Sequence, residues 1–122
     1  MPKDAARAIA QAFMPRHPLG NRYDYYYTLA KLRSDPLYAG VTDALRGTDA
    51  PLLDLGCGLG LLAHALRADG MTLPYRGVDI AAGKVARAQR AATRAGLADV
   101  TFEARDLADG TPAHAGSVAI LD

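Results

Sequence analysis

The feature that most constrains this chain is a short apolar run that leads directly into three alternating glycines. Leu52–Leu55 reads LLDL, and residues 56–60 read GCGLG before a helical pattern begins. A turn from a buried strand straight into a helix, with a ligand against the backbone, needs positive φ and no Cβ in the way. The run therefore predicts a strand, a glycine turn and a helix, which together form the opening unit of an α/β fold.

Strand and helix patterns continue to alternate after this turn. Strands are predicted at Tyr75–Asp79, Val100–Ala104 and 117–121, and helices at 59–69 and 82–95. The last strand is almost wholly apolar, as expected for a strand covered on both faces. Short connections imply right-handed crossovers, so we predict a Rossmann-like parallel sheet of about four strands with helices on both sides.

Residues 1–50 differ in sequence pattern from the rest of the chain, because they show helical periodicity and no convincing strand. Three helices are predicted, at 6–13, at 23–33 and from Pro36 onward. The buried stripe of the third helix is expected to consist of four apolar residues, Leu37, Val41, Ala44 and Leu45. We therefore divide the chain into an N-terminal helical cap, residues 1–50, and an α/β subdomain, residues 51–122.

Composition limits the classes of partner. Fourteen Lys and Arg against 13 Asp and Glu leave a net charge of +1, which gives no support for a nucleic acid or an acidic membrane surface. No apolar run approaches the roughly 20 residues of a membrane span. The single cysteine, Cys57, excludes an internal disulfide and a cysteine-based zinc cluster. Without a continuous apolar signal region near Met1, a cytoplasmic location is expected.

An acidic residue stands at or just after the end of each predicted strand: Asp54, Asp79, Asp106 and Asp122. Ligands of open α/β sheets bind outside the carboxyl ends of the strands. Asp79 lies 19 residues beyond Gly60, about where such folds place an acid for ribose hydroxyls. Asp106 is suited to an exocyclic amine of a purine, with the backbone N–H of Leu107 beside it. The pattern predicts a nucleoside site.

Two frames of the glycine run predict different cofactors. Starting at Gly58, GLGLLA fits the G-x-G-x-x-G/A pattern of dinucleotide binders, but it leaves Asp54 and Gly56 inside a buried strand. Starting at Gly56, LLDL stays a clean strand with Asp54 near its end. We favour the second frame. An NAD(P)-dependent oxidoreductase and a non-catalytic nucleoside-binding module remain the alternatives.

In the favoured frame the sequence resembles class I S-adenosylmethionine-dependent methyltransferases. LLDLGCGLG resembles their first motif, and GVDI at 77–80 resembles their second. ARDLAD at 104–109 resembles the end of their third strand, and SVAILD at 117–122 their fourth strand. The resemblance covers residues 51–122 and implies strand order 3-2-1-4. It also implies in-line transfer of the sulfonium methyl group to a substrate atom.

The resemblance implies a site for S-adenosylmethionine at the strand ends, under the N-terminal helices. Its expected members are Asp54, Leu55, Gly56, Cys57, Gly58, Gly60, Asp79, Ile80, Asp106, Leu107, Asp122 and Tyr27. Gly56 and Gly58 would border the methionine part, Asp54 would orient that part through the loop, and Asp79 would hold the ribose. Ile80 would cover one face of the adenine, and Cys57 is interpreted as a small loop filler. No catalytic base and no metal ligand is predicted.

Four tyrosines within residues 23–27 cannot all face a core. The simpler interpretation is that one or two pack and the others are half-exposed. The functional interpretation places Tyr23 or Tyr27 over the cofactor, where an aromatic face favours a sulfonium. Arg22 or Arg46 is a candidate partner for the methionine carboxylate or for an acidic substrate.

The sequence departs from this family at its end. Members usually have seven strands, whereas this sequence stops at the tip of the fourth. We therefore interpret the chain as a fragment that holds most of the cofactor site and by itself catalyses nothing. With an open apolar edge at 117–121, the chain is expected to self-associate or to be poorly stable alone. The expected acceptor is a small or lipid-like molecule.

Overall fold

A parallel sheet of four strands forms the centre of the computed structural model, which describes residues 1–120. The strands are β1 (Leu52–Leu55), β2 (Tyr75–Asp79), β3 (Val100–Ala104) and β4 (Ser117–Ile120). Their order is β3-β2-β1-β4, and every pairing is parallel. The predicted Rossmann-like α/β fold and strand order are confirmed. Predicted strand residue Leu121 and site residue Asp122 lie outside the described residues.

Five α-helices accompany the sheet in the described part of the chain: α1 (Lys3–Ala10), α2 (Tyr23–Ser34), α3 (Leu37–Leu45), α4 (Leu61–Ala68) and α5 (Ala82–Arg94). Short 3-10 turns cover Gln11–Phe13 and Leu107–Asp109. Within residues 1–120, none of the helices has the length and apolar character to cross a membrane.

The helices α3, α4 and α5 pack on one face of the sheet. Leu52 of β1 and Tyr75 of β2 share an apolar cluster with Leu62 of α4, joined by residues of α3. The ring of Phe102 in β3 and the methyl group of Ala88 in α5 meet at the glycine turn. This arrangement departs from the expected helices on both sides, because the connection from β3 to β4 forms only a 3-10 turn.

The N-terminal helices share a core with the glycine turn. Ile9 of α1 and Leu32 of α2 cluster with Leu59 and Leu61, at the start of α4, and with Ala91 of α5. Burial of such side chains contributes about 1.5–3 kcal/mol each. This packing holds α2 beside the carboxyl edge of the sheet.

The buried face of α3 matches the predicted stripe only in part, at Val41 and Leu45, which pack against the core. Leu37 is 48% exposed and Ala44 is exposed, whereas Thr42 is 7% exposed. The Thr42 hydroxyl donates a hydrogen bond to the carbonyl of Tyr38 at 2.7 Å. A hydroxyl satisfied in this way can be buried at little cost, so the polar position faces inward.

Candidate functional site

The glycine loop, residues 56–60, leaves β1 at the carboxyl edge of the sheet and enters α4. Its three glycines have φ between 55° and 75°, in the left-handed region. The N–H of Gly56 donates to the carbonyl of Val78 at 2.8 Å, and the N–H of Gly58 donates to Oδ2 of Asp79 at 2.8 Å. The N–H groups of Cys57 and Gly60 also donate to carbonyls of the protein, so the loop has a fixed shape.

Two glycines of the loop have different surroundings. A Cβ at Gly58 would meet nothing within 4 Å, since this glycine borders open space. A Cβ at Gly60 would lie 2.5 Å from the ring of Phe102. Gly58 therefore leaves room for a ligand, whereas Gly60 allows the start of α4 to approach β3.

A cleft of about 490 Å³ opens above the loop at the ends of β1 to β3. Eight predicted site residues line it: Tyr27, Gly56, Cys57, Gly58, Asp79, Ile80, Asp106 and Leu107. Six further lining residues were not predicted: Lys31, Tyr38, Leu59, Leu61, Lys84 and Arg105. Leu55 and Gly60 do not line the cleft, and Asp54 lies beneath it. Cavities of this size hold ligands as large as a nucleoside derivative.

Asp79 is fixed in orientation by two backbone amides. Its Oδ2 accepts from Gly58 at 2.8 Å, and its Oδ1 accepts from Ala81 at 2.9 Å. A carboxylate has about four acceptor positions, so two remain available toward the cleft. The geometry suits a ligand that presents two adjacent hydroxyl groups.

Apolar side chains stand exposed at the mouth of this cleft. Ile80 is 68% exposed and Leu107 is 39% exposed. Between them, Oδ1 of Asp106 accepts from the N–H of Ala108 at 2.9 Å and so caps the 3-10 turn. The backbone N–H of Leu107 makes no hydrogen bond to the described residues. One free donor therefore lies beside the apolar side chains of Ile80 and Leu107.

Asp54 is buried in β1 and does not line the cleft. Only 2% of the residue is exposed, and its Oδ2 accepts a hydrogen bond from the Tyr75 hydroxyl. Its Oδ1 has no partner among the described residues. Burial raises the pKa of Asp54 to about 6, although the Tyr75 hydrogen bond acts in the opposite direction.

Cys57 packs with its thiol against Gly77 of β2. A Cβ at Gly77 would lie 2.9 Å from the Cys57 Sγ, so only glycine fits there. Burial raises the pKa of Cys57 to about 12, which keeps the thiol protonated at neutral pH. Since the thiolate is the nucleophilic form, this thiol is not activated as a nucleophile. We interpret Cys57 as a residue that fills space in the loop.

The cations at the cleft are not those that the sequence suggested. Arg46 forms ion pairs with two aspartates, at 3.0 and 2.7 Å, and Arg22 donates to a backbone carbonyl at 3.4 Å. Neither lines the cleft, whereas Lys31, Lys84 and Arg105 do. They come from α2, α5 and the residue after β3, and no sequence motif links them. A sequence signal existed only for Arg105, which lies within ARDLAD at the end of the third predicted strand.

The tyrosines of α2 extend from the cleft toward solvent. Tyr27 lines the cleft, and its ring stacks on that of Tyr23 with centroids 6.1 Å apart. Tyr23 is 68% exposed and Tyr26 is 58% exposed. At least two of these rings are therefore not core residues, and Tyr27 places an aromatic face at the cleft.

The parallel order, the glycine turn after β1 and the fixed acid after β2 define a Rossmann-like α/β protein with its ligand cleft at the carboxyl edge of the sheet. A family model described as "Methyltransferase domain" matches residues 47–118. The chain belongs to this family.

Solved structures show the same fold. Magnesium protoporphyrin IX methyltransferase of Synechocystis, solved with bound SAH, is 24% identical over 98% of this chain, with TM-score 0.60. An Escherichia coli rRNA methylase is 28% identical over 98% of the chain, with TM-score 0.56. The Trypanosoma brucei PRMT1 enzyme-prozyme complex with AdoHcy is 27% identical over 66% of the chain, with TM-score 0.52.

The chain is shorter than these three proteins and spans 52%, 48% and 25% of their respective chains. No curated protein matches it significantly in sequence.

Proposed function

We propose that this chain is the cofactor-binding portion of an S-adenosylmethionine-dependent methyltransferase. One observation carries the proposal: the Asp79 carboxylate accepts a hydrogen bond from the glycine loop and lines the cleft beside Gly58, where a Cβ would meet no atom within 4 Å. The family match and relatives solved with SAH or AdoHcy support it. When bound, S-adenosylmethionine supplies an electrophilic methyl group.

The residues of the cleft fit this cofactor part by part. The open surface at Gly58 admits the methionine part against the backbone, and the remaining acceptor positions of Asp79 take the ribose hydroxyls. Ile80 and Leu107 cover the adenine faces, because both are exposed apolar side chains that line the cleft. Oδ2 of Asp106 and the N–H of Leu107 are the free polar groups for the adenine edge.

The charges of the cleft also suit this ligand. Lys84 provides positive charge for the methionine carboxylate. Two further cations of the cleft are already paired, Arg105 with Glu103 at 3.4 Å and Lys31 with Asp35 at 2.9 Å. The ring of Tyr27 is available to the sulfonium. Asp122 remains a prediction, since it lies outside the described residues.

The proposed acceptor is a small or lipid-like molecule, in the cytoplasm. A net charge of +1 and the exposed rings of Tyr23 and Tyr26 near the cleft favour a neutral, partly apolar acceptor. The related structures are named as methylases of acceptors as different as a porphyrin and rRNA, so they do not decide the acceptor. Because the chain spans about half of such proteins or less, we propose that it binds the cofactor and that turnover needs more of the protein. A non-catalytic nucleoside-binding module is the alternative.

The test is calorimetric titration of the chain with S-adenosylhomocysteine, run beside NAD⁺. We expect saturable binding of the first ligand and none of the second. Asp79→Asn keeps the side-chain shape but removes the charge, and it is expected to weaken binding by about tenfold or more. Asp49→Asn, at an exposed position outside the cleft, loses the same charge and is the matched control.

Binding of NAD⁺ in place of S-adenosylhomocysteine would overturn the proposed cofactor. Equal loss in both variants would show that the effect is one of net charge and not of the ribose contact. Methyl transfer by a longer form of the protein would eliminate the non-catalytic alternative.

A further inference from the structure

A second and larger cleft, of about 620 Å³, lies away from the glycine loop between residues 12–24 and α5. Asp24 and Arg87 line it, and they form an ion pair at 2.7 Å between α2 and α5. One helical turn further along α2 and one turn back along α5, Tyr27 and Lys84 line the cofactor cleft. The ion pair thus stands between two separate cavities.

The charge of this second cleft is strongly positive. Four arginines line it, Arg16, Arg87, Arg90 and Arg94, against the single carboxylate of Asp24. Three of the arginines are spaced i, i+3 and i+7 on α5, so they project from one side of that helix. The whole chain has a net charge of only +1, so this is a local concentration of positive charge.

The four arginines fall into two pairs. Arg87 is held by Asp24, and Nη1 of Arg94 donates to the carbonyl of Met14, so both have fixed positions in the wall. Arg16 and Arg90 make no side-chain hydrogen bond or ion pair among the described residues. Two guanidinium groups thus remain free to bind a ligand.

The other walls indicate what such a ligand would look like. Oδ1 of Asn21 accepts from the N–H of Tyr23 at 2.8 Å, which leaves the amide N–H groups of Asn21 free to donate. The half-buried side chains of Met14 and Pro15 supply apolar surface. Planar guanidinium groups bind phosphate oxygens in pairs, and the volume exceeds what an inorganic ion needs.

We propose that this cleft binds a phosphate-bearing small molecule through Arg16 and Arg90, with the phosphate near the free amide of Asn21 and the rest of the molecule against Met14 and Pro15. The site is distinct from the cofactor cleft, and no adenosine is needed for binding.

The test uses inorganic pyrophosphate, which lacks the nucleoside that the first cleft would take. We expect saturable binding by calorimetry at fixed salt, with amide NMR shifts in residues 12–24 and α5. The double variant Arg16→Gln/Arg90→Gln is expected to weaken binding by about tenfold or more. Arg7→Gln/Arg33→Gln removes the same charge at exposed positions outside the cleft and is expected to bind as the parent does. S-adenosylhomocysteine affinity serves as a folding control for both.

Three results would overturn the proposal. Absence of saturation at about 10 mM pyrophosphate would show that there is no site of useful affinity. Equal weakening in the two double variants would reduce the effect to net charge. Much tighter binding of a short single-stranded RNA, lost in the Arg16/Arg90 variant, would assign the phosphate to a nucleic acid backbone and not to a small molecule.

Discussion

At the scale of single residues, Gly58 and Gly60 show how one backbone conformation meets two different requirements. Both have left-handed φ, 55° and 75°, so an alanine at either position is strained. Only Gly60 also has an aromatic ring where a Cβ would stand. The pair therefore separates the effect of strain from the effect of lost space.

We expect Gly58→Ala to impair mainly ligand binding and Gly60→Ala to impair mainly stability. Gly58→Ala should cost about 1–2 kcal/mol of stability from strain but should clearly weaken S-adenosylhomocysteine binding, because its methyl group enters the cleft. Gly60→Ala should cost about 3 kcal/mol or more, since overpacking against Phe102 adds to the strain. Urea unfolding and calorimetry measure the two effects. Similar unfolding curves for both variants would contradict the assigned role of Gly60.

Two buried ionisable residues shift in opposite directions. Burial raises the pKa of Asp54 from 3.8 to about 6 and lowers the pKa of His64 from 6.5 to about 4. Folding therefore makes Asp54 keep its proton and makes His64 lose its proton over nearly the same pH range. Each shift corresponds to about 3 kcal/mol.

We expect these two effects to cancel, so that the stability of the parent chain is nearly level between about pH 4 and 6. In Asp54→Asn only the His64 effect remains, and stability should rise with pH because the unfolded state holds the extra proton. In His64→Leu only the Asp54 effect remains, and stability should fall with rising pH because the folded state holds the extra proton. Urea midpoints across this range measure the slopes. Parallel profiles for all three proteins would contradict the opposed pKa shifts.

The site residues that could be predicted are those that adjoin strand ends. Gly58, Asp79 and Asp106 follow from the local pattern of apolar run, glycine and acid, because the chain itself carries them to the carboxyl edge. Lys31 and Lys84 could not be found in this way. They reach the cleft only through packing of α2 and α5, for which a single sequence has no signal.

At the scale of elements, Arg67 joins two connections at the opposite edge of the sheet. Its guanidinium donates to the carbonyls of Met71 at 2.9 Å and Leu73 at 2.8 Å, in the segment from α4 to β2. It also donates to Ala98 at 2.9 Å, in the segment from α5 to β3. One side chain thereby fixes how β2 and β3 begin.

We expect Arg67→Met to lower the free energy of unfolding by about 2 kcal/mol, because several carbonyls lose a charged donor while the apolar stem is kept. Arg33→Met, at an exposed position of α2 without such contacts, should change it by less than about 0.5 kcal/mol. Thermal and urea unfolding measure both. A null effect of Arg67→Met would mean that water replaces the guanidinium at these carbonyls.

Elements were predictable where their pattern is strict. The bounds of β1, β2 and β3 follow from short apolar or alternating runs between glycine, proline and polar segments. On α3, Val41 and Leu45 pack against the core as predicted. The inward position of Thr42 was missed, because its hydroxyl is satisfied on the backbone of its own helix. A pattern of apolar letters cannot register that hydrogen bond.

At the scale of the whole molecule, β4 is an open edge among the described residues. It pairs with β1 on one side only, and Val118 is 55% exposed. Edge strands with apolar residues and no covering element pair readily with other chains. The sequence-based expectation of self-association is therefore kept as a prediction.

We expect this chain to form concentration-dependent oligomers that Val118→Lys suppresses, because an outward charge on an edge strand opposes pairing. Light scattering over a dilution series measures the effect. The matched control is Leu19→Lys, at a residue that is 89% exposed and far from β4 in the sequence, which should leave association unchanged. A monodisperse monomer at high concentration would contradict the prediction.

The Asp24–Arg87 ion pair would couple ligand binding in the two cavities. Because α2 and α5 are walls of both cavities, a change in their separation alters both at once. An anion that draws Arg87 away from Asp24 would loosen this shared wall, and the affinity of the other cavity would change by some factor. Thermodynamic linkage requires the reverse effect to have the same factor, so each occupant would report on the other. Two ligands that never contact each other would then change each other's affinity for the protein.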